Sequence, residues 1–342
     1  MHQNNQTSPE SEYRIALNQL LMATLIPCSI LIVIVAILID KNAIDTERLF
    51  KPEIALIFTI LLTGLFITNE LLTKHLNNTI LLRKRMLLSH SILKSVQQHE
   101  FIPYYQAKVD TQGRIVGCEA LCRWKKTNEI LSPASFIDQA IETNQIQNID
   151  ISIALAGMKQ ALIWKKENII NTFTISFNMD PKSLSDRGVT EVIAKSIRNT
   201  IYHGVTVEVE ITEQSMLTLN ASTSENIHIL KKAGARFALD DFSAGHSSMK
   251  SIISLQFDTL KFDRSLISPT DANQQKAKAS FELIKAMNNV AKSLQINTIL
   301  EGIETDKDLE FYRFTGVEQI QGFLFSKPSN EQEFTKILKQ WR

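Results

Sequence analysis

The chain has 342 residues, with Lys+Arg 37 against Asp+Glu 36 and a formal net charge of +1. That length leaves room for one large domain and an appendage. The even balance excludes the clustered basic excess expected of a protein that binds DNA or RNA polymers, so function must come from local sites.

Residues 1–17 read as a cytoplasmic tail. The run Leu20–Ile39 then carries no charge, and about 20 apolar residues suffice to cross the hydrocarbon of a bilayer. Pro27 falls inside it, which a membrane helix tolerates. A second run, Ile54–Thr68, is extended by Leu71 and Leu72 beyond Asn69 and Glu70. Together they predict a transmembrane hairpin over 18–72, with spans near 20–39 and 54–72. A signal peptide is the rival reading of the first run, but the segment before it, with Glu10, Glu12 and Arg14, lacks a basic cluster. Lys74, Arg83, Lys84 and Arg85 follow the second run, and positive charge marks the cytoplasmic side. The expectation is a multi-pass protein of the cytoplasmic membrane, in contact with lipid through the hairpin, with both termini inside. Residues 73–97 read as a helical linker whose heptads are too irregular for a coiled coil.

From 98 to 342, apolar strand-like segments alternate with amphipathic helical ones, the pattern of βα repeats. The candidate strands are YYQAKV, GCEALCRW, FTISFNM, VEVEIT, RFALDD, TLKFD, NTILEGI and EQIQGFLF. Eight strands in roughly 240 residues predict an α/β fold of the (β/α)8 TIM-like barrel type. The cysteines Cys28, Cys118 and Cys122 have no metal-ligand spacing and read as reduced thiols used as small hydrophobes.

Polar residues recur late in these strands: Glu119, Asn178, Glu210, Asp240 and Asp241, Lys261 and Asp263, Glu301, and Gln321. Barrel active sites are assembled at the C-terminal strand ends from several strands at once. A single such acid is ordinarily a helix cap or a solvated strand end, and Glu119 alone could be a buried acid paired with Arg123. Clustered acids, however, repel one another unless cations neutralise them. All-oxygen ligands favour hard ions, Mg²⁺ or Mn²⁺. Adjacent aspartates suggest two of them, about 3.5 to 4 Å apart, as in metal-assisted phosphoester hydrolysis.

The motifs YYQAK, EALCR, SFNMDP, EITE, ALDDF, LKFDRSLI, EGIET and QGFLFSKP, in this order, resemble the EAL-domain cyclic di-GMP phosphodiesterases of bacteria from Phe101 to Arg342. The resemblance implies hydrolysis of cyclic di-GMP to linear pGpG with two divalent metals and a homodimer formed through the EAL domain. It implies that Glu119, Asn178, Glu210 and Asp240 hold one metal, and that Asp240 and Asp241 help hold the second. Lys261 would orient the attacking water, with Glu301 near the water or the second metal. Gln106 and Arg123 would grip guanine or phosphate; Asp263, Gln321 and Glu304 would line or support the pocket; Glu213 would anchor the loop after the paired aspartates. Ser243 stands where the family has glycine and His246 where it has tyrosine, and a lost positive-φ glycine would cost roughly 1 kcal/mol. Trp124 is expected to pack beneath its strand rather than stack on guanine, and His246 to pack in the loop or face solvent rather than act as a base. The rival reading is a catalytically weak domain that binds cyclic di-GMP or a protein partner as a receptor.

Overall fold

The computed structural model describes residues 52–127, 129–216, 221–243, 255–268 and 274–341. The chain divides into two units at Leu88/Ser89, a point inside the predicted linker. Helix α1, Pro52–Gln97, is 46 residues long. Proline suits its first turn, where the missing N–H would have had no intrahelical partner. His99, with φ 54°, ends it in the left-handed region.

The predicted second membrane span lies within α1, and here the expectation is corrected. Among the described residues, no helix is long and apolar enough to cross a membrane. Asn69, Glu70, Lys74 and His75 interrupt the apolar run soon after Thr68, and the helix continues through them without a break. The placement in the bacterial cytoplasmic membrane is therefore not upheld. The first predicted span, 20–39, lies outside the described residues.

The second unit is an eight-stranded barrel. Its strands are β1 Phe101–Asp110, β2 Ile115–Lys125, β4 Thr174–Asn178, β5 Thr206–Thr212, β6 Arg236–Phe242, β7 Thr259–Phe262, β8 Asn297–Glu301 and β9 Gln319–Gln321, with β3, Ile130–Leu131, paired outside the ring on β2. The order β1-β9-β8-β7-β6-β5-β4-β2 closes through the pairing of β1 with β2. All eight predicted strands are present. The ring departs from a uniform (β/α)8 barrel at β1, which is antiparallel to both β2 and β9. The cause is local: β1 and β2 are joined by a tight turn with Gly113 at φ 80°, and a hairpin can link only antiparallel strands, whereas a parallel pair needs a crossover.

The other strands run parallel, connected mainly through helices outside the ring. These include α2 Ile137–Glu142, α3 Ile146–Lys166, α4 Pro181–Ser185, α5 Arg187–Tyr202, α6 Glu213–Met216, α7 Ala221–Lys232, α8 Gln274–Ser293, α9 Asp306–Tyr312 and α10 Glu331–Gln340. Side-chain caps set several starts. Asp186 accepts from the N–H groups of Gly188 and Val189 to open α5, and Asn330 accepts from those of Gln332 and Glu333 to open α10. Trp164 of α3 packs edge-on against Tyr105 of β1 and beside Phe334 of α10, sealing the barrel where no βα crossover covers it. Each such buried aromatic contributes on the order of 2 to 3 kcal/mol. Trp124 is buried against Phe101 and Phe136, the packing role expected for it.

The interior is polar because of register. Gln106 lies opposite Glu119, Asn178 beside Glu210, Thr212 beside Asp240, and Glu301 beside Gln321. Side chains alternate across a strand, so one set of alternate positions, including Ile175, Phe177, Val207 and Val209, builds the buried apolar layer. The intervening set carries the functional groups.

Candidate active site

Lys261 stands at the centre of the site. Its Nζ lies 2.5 Å from Glu210 Oε2, 2.8 Å from Asp240 Oδ1, 2.8 Å from Glu301 Oε1 and 3.4 Å from Glu119 Oε2. Four strands, β2, β5, β6 and β8, thus aim carboxylates at one ammonium on β7. Asn178 Nδ2 donates to Glu119 Oε1 at 2.8 Å, and Gln321 Nε2 donates to Glu119 Oε2 at 2.8 Å. Gln321 Nε2 also reaches Gln106 Oε1 at 3.2 Å, and Gln106 Nε2 in turn donates to the Ser326 carbonyl.

The paired aspartates depend on a backbone irregularity. Asp241 has φ 54°, and the β6–β7 register shifts between Leu239 and Phe242. Regular alternation would send neighbouring side chains to opposite faces. The left-handed residue breaks it, so Asp240 and Asp241 both reach one cluster with Glu301. Such a conformation is costly for a non-glycine residue and concentrates at functional sites.

The electrostatics describe an acid surplus. Burial first, then repulsion from Glu210, raises the Glu119 carboxyl above its ordinary range. Burial likewise raises Asp240 and Asp241, and pushes Glu301 up to about 8. Glu210 is the exception. Burial would raise it, but Lys108 and Lys261 override that and hold it well below the usual carboxylate range. Burial would also neutralise Lys261, yet Asp240, Glu119, Glu210 and Glu301 keep it charged.

A donor set of this kind fits divalent cations. Glu119, Glu210 and Asp240 form one group, and Asp240, Asp241 and Glu301 a second, each with ligand atoms within 4.8 Å of one another. All the donors are oxygens, the preference of Mg²⁺ and Mn²⁺. Asp240 belongs to both groups, as a bridging ligand between two ions would.

A cavity of about 270 Å³ opens on this cluster, lined by Gln106, Glu119, Asp240, Lys261, Glu301 and Gln321. At its rim Arg264 pairs with Glu304 at 2.6 Å. Gly302, φ 77°, leaves room for the Arg264 side chain, which a Cβ there would strike at 2.5 Å. Phe323 lines the same rim and is half exposed.

Arg123, Asp263 and Glu213 make their contacts outside the group of carboxylates around Lys261. Arg123 donates to its neighbour's carbonyl, Cys122 O, at 2.7 Å and rests over the Tyr104 ring, away from the cavity lining. Asp263 caps the turn Arg264–Leu266 by accepting from Ser265 N. Glu213 accepts from Ser243 N at 3.1 Å, at the start of the loop it was expected to anchor. Ser243 is not among the residues with left-handed backbone, so the cost foreseen for replacing a glycine there does not arise. His246 lies outside the described residues.

Two buried residues went unassigned in the sequence. Lys108 of β1 reaches Glu208 Oε1 at 3.0 Å and Glu210 Oε1 at 2.7 Å. Their signal was alternation: Lys108 is two residues from Gln106, and Glu208 two from Glu210, so each shares the inward face of its strand.

The fold and site are those of an α/β barrel with an acidic mouth suited to hard cations. The chain belongs to the EAL domain family, which matches residues 89–328. It is similar to the cyclic di-GMP phosphodiesterase PdeR of Escherichia coli, 26% identical over 74% of this chain and 38% of that protein. Similarity to the cyclic di-GMP phosphodiesterase RocR of Pseudomonas aeruginosa is 28% over 71% of this chain and 61% of that one. The chain thus spans less than two thirds of the length of either relative. Among solved structures, the EAL enzyme Bd1971 in its cAMP and cyclic-di-GMP bound form shares the fold, with a TM-score of 0.68 and 23% identity over 82% of this chain and 76% of that one.

Proposed function

We propose that the chain hydrolyses one 3′,5′ phosphodiester bond of cyclic di-GMP, adding water across it to give linear pGpG. The observation that carries this reading is the convergence of Glu119, Glu210, Asp240 and Glu301 on Lys261 at one barrel mouth, in a family with relatives named for that reaction. Glu119, Asn178, Glu210 and Asp240 would hold one Mg²⁺ or Mn²⁺, and Asp240 with Asp241 the other. Bound there, such cations activate water and offset the charge that gathers on phosphorus oxygens.

The chain's own groups supply the rest. Lys261 keeps its Nζ charged at the centre of the site and orients the attacking water. Glu301, 2.8 Å from that ammonium, would accept the water's proton. Gln106 and Gln321 hold the substrate edge within the cavity. Arg123 retains guanidinium donors for a phosphate, a group it matches in bidentate fashion. Asp263 and Glu304 support the rim, and Glu213 steadies the loop beyond Asp241. A homodimer through the barrel is part of the same reading and is supported by the family resemblance.

The test is incubation of the purified chain with cyclic di-GMP and either cation, followed by chromatography. Formation of pGpG is expected. Binding of cyclic di-GMP with no pGpG at saturating metal would replace this reading with that of a receptor.

A further inference from the structure

We propose that Lys108 and Glu208 are positioning residues that brace Glu210 from beneath, fixing its carboxylate in the orientation needed for the Glu119–Glu210–Asp240 cluster to take up a divalent cation. The inference rests on the metal-site reading above and concerns residues that do not line the cavity.

The geometry is a chain of contacts across the barrel. Lys108 rises from β1, while Glu208 and Glu210 stand on β5, a strand that does not neighbour β1 in the ring. The lysine therefore spans the barrel interior. Its Nζ lies 3.0 Å from Glu208 Oε1 and 2.7 Å from Glu210 Oε1. The far oxygen of Glu208 accepts from Thr259 Oγ1 at 2.5 Å. Lys108, Glu208, Glu210 and Thr259 are all buried, none more than 4% exposed.

This arrangement divides the work of Glu210 between its two oxygens. Oε1 is taken by Lys108, below the site, and Oε2 faces Lys261, within it. A carboxylate held by one oxygen cannot rotate freely, so the other stays directed at the cluster. Without the brace, the Glu210 carboxylate would be free to turn, and its ligand oxygen would leave the cluster. Thr259 and Glu208 keep the lysine from following any motion of Glu210. Partners of this kind behind a metal ligand typically alter metal affinity or activity by about 10- to 100-fold.

Charge complicates the test, because removing Lys108 alone also removes a positive charge that repels a cation. The variant Lys108→Met/Glu208→Gln removes one charge of each sign together, so it reads positioning. The full chain is titrated with Mn²⁺ alone, followed by calorimetry or by the electron paramagnetic resonance of free Mn²⁺, with thermal melting in parallel. We expect the midpoint of the double variant to rise at least tenfold over the parent. A role confined to stability would lower the melting temperature and leave the midpoint of the folded protein in place, and midpoints within twofold overturn the brace. Should the double variant not fold, Glu208→Asp keeps every charge while drawing the carboxylate back from Lys108; a severalfold rise is expected, and an unchanged midpoint overturns the proposal equally. A parent chain that takes up no Mn²⁺ sinks the metal reading and the brace with it, whereas equal midpoints in parent and variants sink the brace alone.

Discussion

Lys261 and Glu210 form a 2.5 Å ion pair in which neither side chain is more than 1% exposed, and three further carboxylates share that ammonium. A buried charge stripped of its partner is expensive, about 3 kcal/mol or more. Lys261→Met should therefore lower the stability of the metal-free chain by roughly that amount. Turnover of cyclic di-GMP should fall at least 100-fold. Added Mn²⁺ should restore part of the stability, since the cations meet the same carboxylates, but not the turnover. Denaturant melts with and without metal decide this. A metal-free stability equal to the parent's would show that the carboxylates do not depend on Lys261.

Glu119 is held on both oxygens, by Asn178 and by Gln321, so its role can be separated from its packing. Glu119→Ala and Asp240→Ala each vacate a ligand without disturbing the outward apolar faces of β2 and β6. Both should keep the circular dichroism of the parent and lose nearly all turnover. Either variant, folded and retaining more than a tenth of parental activity, would remove that residue from the site.

The strands and acids were legible in the sequence because parallel barrel strands announce themselves as short apolar runs, and a polar residue inside one stands out. Glu119, Asn178, Glu210, Asp240, Lys261, Glu301 and Gln321 were found that way, and the register brings them together. The reversal of β1 was hidden, because a strand's direction depends on its connection and only the short turn at Gly113 signals it. Lys108 was hidden by its type, since a lone lysine in a strand ordinarily points to water. The membrane reading of Ile54–Thr68 failed for a related reason: a short apolar run fits a membrane leg and a long helix alike, and Asn69, Glu70 and Lys74 belong to the latter. Arg123 illustrates a third limit. Its place in β2 follows from its motif, whereas the Tyr104 ring under its guanidinium does not.

Ser243 and Glu213 make opposite predictions for one contact. Ser243 donates to Glu213 Oε2 through its backbone N–H at 3.1 Å and through its Oγ at 3.4 Å; Ser243→Gly gives up only the longer bond, so turnover should change by no more than about threefold. Glu213→Ala removes the acceptor and should reduce turnover about tenfold or more, since the Ser243 N–H that it holds lies two residues beyond Asp241. Kinetics of the two variants side by side check this. An inert Glu213→Ala would show that this contact does not order the paired aspartates.

Asp150 gives a pH dependence remote from the metal cluster. It sits in α3, buried, and accepts from Asp180 N at 2.9 Å and Ser183 Oγ at 2.6 Å. Burial pushes its carboxyl up to about 7, against 3.8 for an unperturbed aspartate, and the two hydrogen bonds only partly offset that. A folded-state value raised above the unfolded one means that the native chain binds the extra proton. This contribution to stability is complete below about pH 4 and is lost as pH rises through about 7. The loss amounts to at most about 4 kcal/mol. Asp150→Asn keeps an oxygen to accept the bonds from Asp180 and Ser183 but cannot ionise. Its stability relative to the parent should therefore increase between pH 5 and 8, as seen in urea denaturation at several pH values in the presence of chelator. A difference between parent and variant that stays flat across that range would mean that Asp150 is ionised in the folded protein throughout.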